Sequence, residues 1–462
     1  MLTYQDLLAV GNNEGMRRKF ALRVIDEHKV SALYRTAVDA DEYDRRQNTT
    51  IMRYRKFIYD QSGRAMPDNY SANYKLPSAF FPRFITQLNQ YLLGNGITMD
   101  GEQKAKLGER FDTRLQQLGR SALAHGVAFG FWNLDHLEIF RVTEFAPLYD
   151  EETGALMAGV RFWQLSTDKP LRVTLYEPDG WTEYRKPPKR EMESLGEKQN
   201  YKYTVAHSDI GGTTILNGEN YAGFPIIPLY GNPQKQSELI GLREQIDCYD
   251  LIKSGFANDL DEAVSLYWII TNAGGMNAKD VSEFIHNLRT MRGATVDGDA
   301  GVNVSAHSTT IPHEARKVYL EQLKNDMYED FQIVNVTSMS GGSKTATEIN
   351  AAYEPMNNKT DQFEYCVLDF LYSLFDIVGI DAEPSFVRSR IVNRLEETNM
   401  VLAAADLLGT EMTLRKLPWL TPEEVEEILT MNANEEAYRM ARKGTGDGGL
   451  EQPLDGGTAP GT

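Results

Sequence analysis

Apolar residues recur at spacings of three and four through SAFFPRFITQLNQYLL, residues 78–93, where Phe81, Phe84, Ile85, Leu88, Tyr91 and Leu92 share one face. That period predicts an amphipathic helix, and Gly94-Asn95-Gly96 stops it. The same reasoning predicts helices over 14–35, with Phe20, Val24, Ala32 and Leu33 among charges, and over 105–124. The stretch between, 41–58, is charged and aromatic. From 127 to about 230 the pattern changes. VAFGFWN, LEIFRV, VRFWQL, LRVTLY and YKYTV are short runs rich in β-branched and aromatic residues, separated by PLYDEETG, STDKP and EPDG. Runs of this kind between turn signals predict a mainly antiparallel sheet region. Residues 186–200 are polar and charged and read as an exposed loop.

Leu239, Leu242, Ile246, Tyr249, Ile252, Phe256, Leu260, Ala263 and Tyr267 trace one stripe, predicting a single helix over 237–267, roughly 45 Å long. Residues 268–311 turn β-like, with NAGG and DGDAG as turns. A second helix follows Pro312, a favoured first-turn residue, with Ala315, Tyr319, Leu323 and Met327 in line. FQIVNVTSMSGGSK then reads as a loop ending in a glycine pair. Thr345 and Glu348 form a capping box that opens a further helix, which Pro355 is expected to kink or break. Residues 385–443 are helical and charged, with breaks at Gly409, Pro418 and Pro422, and residues 444–462 form a Gly-, Thr- and Pro-rich disordered tail. The fold class is α+β, mostly α.

At roughly 150 residues per domain, the 462-residue chain holds about three units. Its net charge of −18 is unevenly spread: residues 1–235 carry 30 basic and 29 acidic side chains, residues 236–462 carry 18 and 37. The second half is therefore no basic nucleic-acid footprint. The N-terminus carries Asp6, Glu14 and Arg17-Arg18-Lys19 rather than an apolar leader. The most apolar stretch, Val367 to Ile380, is interrupted by Asp369 and Asp376 and falls short of the ~18 residues a membrane helix needs. Two distant cysteines, Cys248 and Cys366, suit a reducing compartment.

Enzyme signatures fail on spacing. In Ser340-Gly341-Gly342-Ser343-Lys344-Thr345, a phosphate-binding loop would need glycine where Ser343 and Ser338 stand. Gly444, Gly446 and Gly449 match GxGxxG, but no strand precedes them and no helix follows. His313-Glu314 lacks the second histidine of a zinc motif, and no GxSxG is present. Asp297 and Asp299 lack the rest of a calcium loop and read as a hairpin turn. Asp259, Asp261 and Glu262 cluster on a helix; a solvated face is the ordinary reading, and a divalent metal site is the alternative. No cofactor is expected.

Three stretches then carry a resemblance: FPRFITQLNQYLLGNGIT at 81–98; GFPIIPLYGNPQKQSELIGLREQIDCYDLIKSGFANDLDE at 223–262, with Gln245-Ile246-Asp247-Cys248-Tyr249-Asp250 at its centre; and GDAGVNVSAHSTTIPHEARKVYLEQLKNDMYE at 298–329. Their order and spacing resemble the SPP1-type (Gp6-like) portal family of tailed bacteriophages over roughly residues 14–440. The resemblance implies a non-enzymatic ring subunit, a dodecamer, forming the capsid-vertex channel for packaging and ejecting double-stranded DNA. It implies a wing at 1–236, stem helices at 237–267 and 312–331, a clip at 268–311, a tunnel loop and kinked wing helix at 332–380, and a crown at 381–443. It places Ser338, Met339, Ser340, Gly341, Gly342, Ser343 and Lys344 in the loop facing DNA. It implies, as partners, the terminase large subunit, a head-completion connector, and the major capsid and scaffolding proteins, with no membrane. The location implied is the virion, after assembly in the host cytoplasm.

Two other classes compete. A packaging motor or nuclease needs a phosphate loop and a carboxylate cluster at a strand end, and the first is missing. Another virion or adaptor protein, binding nucleic acid without catalysis, would use the basic stretch RRQNTTIMRYRK at 45–56.

Overall fold

The computed structural model describes residues 2–59, 63–69, 71–207, 213–263, 267–271, 303–307, 313–339, 346–388, 401–417 and 424–434, with single positions between. The chain divides into two compact units, one of Met1–Val336 with Tyr353–Ser389, the other of Thr337–Ala352 with Arg390–Thr462.

The first unit opens with helices α1 (Tyr4–Val10), α2 (Glu14–Val30), α3 (Ala32–Asp44) and α4 (Thr49–Arg53). The single helix expected over 14–35 is two, because Ser31 takes an extended backbone and its hydroxyl accepts from the Tyr34 N–H, capping a new start. Strands β1 (Phe57–Tyr59) and β2 (Ala65–Pro67) pair antiparallel. Helix α5 (Phe80–Leu93) matches the stretch expected from its apolar period. After β3 (Ile97–Thr98) and α6 (Gly101–Ala105) comes α7 (Phe111–His125). Gly126, at φ +91°, ends α7, and the Gln236–Ser237 backbone passes so close that a Cβ there would meet it at 2.7 Å.

Among the described residues every strand pair of this region is antiparallel, as the β-rich runs between turn signals predict. Strands β4 (Val127–Asn133), β5 (His136–Arg141), β6 (Phe145–Tyr149), β7 (Leu156–Trp163), β8 (Leu171–Glu177), β9 (Gly180–Lys186), β10 (Glu193–Ser194), β11 (Tyr203–His207), β12 (Thr213–Asn217) and β13 (Ile226–Tyr230) follow in order. They form a five-stranded sheet β10-β9-β8-β7-β6, a three-stranded sheet β13-β4-β5 and the pair β11-β12. The loop expected over 186–200 is not wholly open. Met192 is buried, and Glu193 and Ser194 pair with Arg185 and Tyr184.

Helices α1 and α2 cover one face of the larger sheet, where Phe20, Val24 and Ile25 pack with Leu148, Val160 and Leu175. Phe129, Phe131 and Phe140 of the smaller sheet meet Phe145 and Tyr176 of the larger one, and Tyr201, in an aromatic cluster. Burial of these large side chains is the main force holding the sheets together. His28 lies between the two regions: its Nε2 is 2.7 Å from the Val142 carbonyl, so that nitrogen carries the proton in the neutral ring. Burial pushes its pKa down, with Lys29 adding to the shift and the Val142 bond opposing it. A neutral folded ring against an unfolded value of about 6.5 means the stabilisation is complete above that pH. It is lost as pH falls through the depressed folded value. Thermal melts between pH 7.5 and 5 are expected to show a steeper acid loss for wild type than for His28→Gln, which keeps an N–H for Val142. Equal slopes would remove His28 from the acid response.

Helix α8 (Arg243–Ala263) follows, then β14 (Tyr267–Thr271), β15 (Asn303–His307) and α9 (His313–Asp330). The helix expected from 237 begins at 243, because residues 237–242 turn instead, with Gly241 at φ +85°. Its 21 residues span about 31 Å. Strands β14 and β15 pair antiparallel, and Lys279, Ser282 and His286, read as part of a β-like stretch, are helical.

Helix α10 (Val336–Met339) is a single turn within the expected loop. Pro355 was expected to kink or break helix α11 (Ala346–Val378), and the helix runs through it unbroken. Its later part, in the first unit, packs Phe370 directly on the backbone of Gly130 in β4. Strand β16 (Ser385–Phe386) pairs with β3, where a helix was expected. In the second unit α12 (Ala405–Lys416) contains Gly409 at φ 74°, the expected break, and residues 424–434 are helical. Pro418, Pro422 and the tail from 444 lie outside the described residues. Among the described residues no helix is long and apolar enough to cross a membrane.

Candidate functional site

Helices α8 and α9 lie side by side and antiparallel. Gln245 donates to Asp330 at 2.5 Å at one end, while at the other Arg316 pairs with Asp259 and the Phe256 and His313 rings meet at 5.6 Å. Between them Cys248 and Tyr319 approach to 3.9 Å. The pair is clamped on α5 by aromatic side chains: Phe80 meets Tyr249 at 5.0 Å, and Phe84 meets Tyr328 and Phe331 at 4.9 Å each. The apolar stripe read over 237–267 is thus partly spent inside the subunit: Leu239 and Leu242 in the preceding turn and Ile246 on α8 are buried, and Leu260 is exposed.

A second, polar stripe on α8 is the principal finding of this region. Asp247, Asp250, Ser254 and Asn258 follow at spacings of three and four, so they share one face. That face holds residues 43–78. Tyr43 Oη and Thr50 Oγ1 donate to the Asp247 carboxylate at 2.5 and 2.6 Å. Arg243 Nη1 donates to Asp39 at 2.7 Å. The segment Tyr74–Ser78 runs antiparallel along α8, and three alternate backbone N–H groups find acceptors on it. Ser78 N–H donates to Asp250 Oδ1 at 2.8 Å, Leu76 N–H to Ser254 Oγ at 3.0 Å and Tyr74 N–H to Asn258 Oδ1 at 2.7 Å. The register works because two extended residues advance about 6.8 Å and four helical residues about 6 Å. Pro77, which has no N–H, falls between two donors.

Asp250 is fully buried. Desolvation raises its pKa, opposed by the hydrogen bonds from Asn48 and Ser78 and by Lys253. Tyr43 is likewise raised, by burial first and by its bond to Asp247 second. These groups make a hydrogen-bonded anchor rather than an acid–base pair, since every proton they share already joins two parts of the scaffold.

Of the residues singled out for chemistry, Ser338 and Met339 fall in α10, while Ser340, Gly341, Gly342, Ser343 and Lys344 lie outside the described residues. Thr345 of the expected capping box lies outside them too. The acidic cluster separates: Asp259 pairs with Arg316, Asp261 is exposed, and the Glu262 side chain lies outside the described residues. No group of three metal-ligating side chains occurs among the described residues. A polar cleft of about 170 Å³ opens beside Asn232, Gln236, Gln332 and Gln362. Its charges are matched internally: Lys359 pairs with Glu238 at 2.6 Å and sits 3.9 Å over the Phe331 ring. The sequence carried the signal for the anchor, four polar residues at helical spacing opposite an apolar stripe, but such residues ordinarily mark a solvated face.

The family model "Phage portal protein, SPP1 Gp6-like" matches residues 35–438. The portal protein of Clostridium phage phiCD119 is 27% identical over 230 residues, 47% of this chain and 50% of that protein, so the match spans half of that relative. The portal protein of Bacillus phage SPP1 is 24% identical over 472 aligned residues, covering 93% of this chain and 90% of the relative. Among solved structures, a chain in the neck of an empty GTA particle aligns with TM-score 0.40 and 10% identity over 76% of this chain and 90% of that one. A chain in the virion of the native gene transfer agent particle gives 0.39 and 12% over 76% and 89%. A match running from Leu33's neighbouring helix residues at 35 through the anchor, the helix pair and on to 438 makes this chain a member of the phage portal protein family, SPP1 Gp6-like.

Proposed function

We propose that this chain is a ring-forming, non-enzymatic subunit of the capsid-vertex channel through which double-stranded DNA is packaged and ejected. What supports the reading is the family match across residues 35–438, which includes α8 and α9 with the strand pair at their ends. In this reading α8 and α9 are the stem, residues 268–311 the clip that meets the terminase large subunit and then a head-completion connector, and residues 381–443 the crown. The helices and sheets of 1–236 are the wing, held among the major capsid and scaffolding proteins as the virion assembles in the host cytoplasm.

Residues 335–346 are the tunnel loop. One Lys344 per chain becomes, in a ring, a belt of positive charge that contacts phosphates without reading sequence. The 37 acidic against 18 basic residues of 236–462 oppose tight gripping, since like charge repels the phosphate backbone and keeps DNA sliding.

Native mass spectrometry with negative-stain imaging of the full-length protein is expected to give closed rings of about twelve chains with a central hole. A strict monomer at every concentration, also on co-expression with capsid and scaffolding proteins, would overturn the reading.

A further inference from the structure

Strands β1 and β2 form a two-stranded ribbon with Phe57 opposite Pro67 and Ile58 opposite Met66. A two-stranded ribbon is marginal in water without a third surface to pack on. This one leaves Phe57 56% exposed and Met66 41% exposed, and Ile58, on the opposite pleat from Phe57, is exposed too. Arg53, Arg55 and Arg64 flank it and are exposed. The ribbon is therefore an apolar centre with a basic rim.

The complementary surface is on α9. Val318 is 60% exposed, with Glu314 and Glu321 exposed to either side, and the neighbouring Tyr319 ring is 46% exposed although its hydroxyl turns to Cys248 of α8. Along the whole of α9 five acids outnumber three bases. The root of the ribbon and the start of α9 lie at one level of the helix pair. The root of the ribbon is fixed by Tyr74 N–H on Asn258 and by Lys75 Nζ on the Met52 carbonyl, each within 2.7 Å. The Arg316–Asp259 pair places the start of α9 beside that same turn of α8, and Val318 and Tyr319 follow within one helical turn of Arg316.

We propose that the ribbon of one chain seats on the α9 face around Val318 and Tyr319 of a second copy. The inference rests on the ring reading and deepens it. Copies related by rotation about an axis along the helix pair keep their height. Two different patches rooted at a common level then meet in a head-to-tail contact that closes into a ring. A nucleic-acid phosphate backbone would use the arginines but leave Phe57, Ile58 and Met66 without cover, so a second copy fits the ribbon better. The contact has the anatomy of a protein interface, an apolar centre with a charged rim of opposite sign on the two partners.

The test uses the full-length chain carrying Cys248→Ser and Cys366→Ser, with Phe57→Cys and Val318→Cys added. Oxidation by copper phenanthroline and dissolved oxygen is expected to give a ladder of covalent oligomers reaching the closed ring, while either new cysteine alone stays monomeric on a non-reducing gel. Separately, Arg53→Glu with Arg55→Glu is expected to raise the concentration needed for ring assembly about tenfold or more, and adding Glu314→Lys with Glu321→Lys to restore it. Wild-type rings with no ladder and unchanged assembly of the reversed variant would overturn the docking and leave the ring reading standing. Rings that persist while bound DNA is lost would overturn it in favour of a nucleic-acid contact. A wild-type chain that never assembles would overturn both.

Discussion

Asp250→Ala is expected to be the most damaging single polar substitution in the first unit, at about 3 kcal/mol. The carboxylate accepts from two buried donors, the Ser78 backbone N–H and the Asn48 side-chain amide. Alanine leaves both without an acceptor where water does not reach, and each orphaned donor costs about 1–3 kcal/mol. Removing a desolvated charge returns part of this, because burial already holds the Asp250 pKa up. Asp250→Asn keeps one acceptor oxygen and is expected to lose about half as much. The substitution also has a local signature. Lys75 is half-buried while the segment lies on α8, so limited trypsin digestion is expected to cut after Lys75 in the alanine variant well before wild type. Unchanged digestion and an unchanged melting midpoint would mean that the hydrogen-bond ladder holds nothing in place.

The second large effect belongs to Phe84. Its ring is fully buried and meets Phe80, Tyr328 and Phe331, so one side chain on α5 touches the end of α9 and the turn that follows. Truncating a fully buried phenylalanine costs about 3–5 kcal/mol, part lost burial and part the cavity left behind. Phe84→Ala is expected at the upper part of that range, because rings on three sides cannot collapse into the space together. Phe84→Leu, which keeps most of the volume, is expected to cost under half as much. Chemical denaturation followed by tryptophan and tyrosine emission measures both. Equal costs for Ala and Leu would mean that the cluster is loosely packed.

What could be read in advance divides along the kind of signal. Phe81, Phe84, Ile85 and Leu88 gave α5 almost to the residue, because one apolar face against one core is a periodic pattern. The strands of 127–230 were legible from residue type instead, as β-branched and aromatic runs between turn signals. The start of α8 was not: Leu239 and Leu242 fit its helical stripe, yet they are buried from a turn that Gly241 makes possible. Pro355 suggested a kink or a break, and the helix does not break, since a lone proline removes one N–H and leaves the rest of a 33-residue helix paired. β16 was missed because two residues carry no period, and its partner β3 lies 287 positions away or more. The anchor was hidden differently. Asp247 and Asp250 were visible as a motif, but their partners Tyr43, Asn48, Thr50 and Ser78 are some 170 to 200 residues distant, and only the folded chain brings them together.

That separation sets the order of events as the chain is made. The three ladder contacts join residues 172, 178 and 184 positions apart. At roughly 5–20 residues per second, the segment at 74–78 leaves the ribosome about 10–40 s before the turns of α8 that will hold it. Throughout that interval neither flank of the ribbon has its α8 partners, since Tyr43, Asn48 and Thr50 on one side and Tyr74, Leu76 and Ser78 on the other all bond to that helix. A nascent chain cannot present the ribbon at a fixed height until α8 has formed, so premature pairing between unfinished copies is disfavoured by timing as well as by energy.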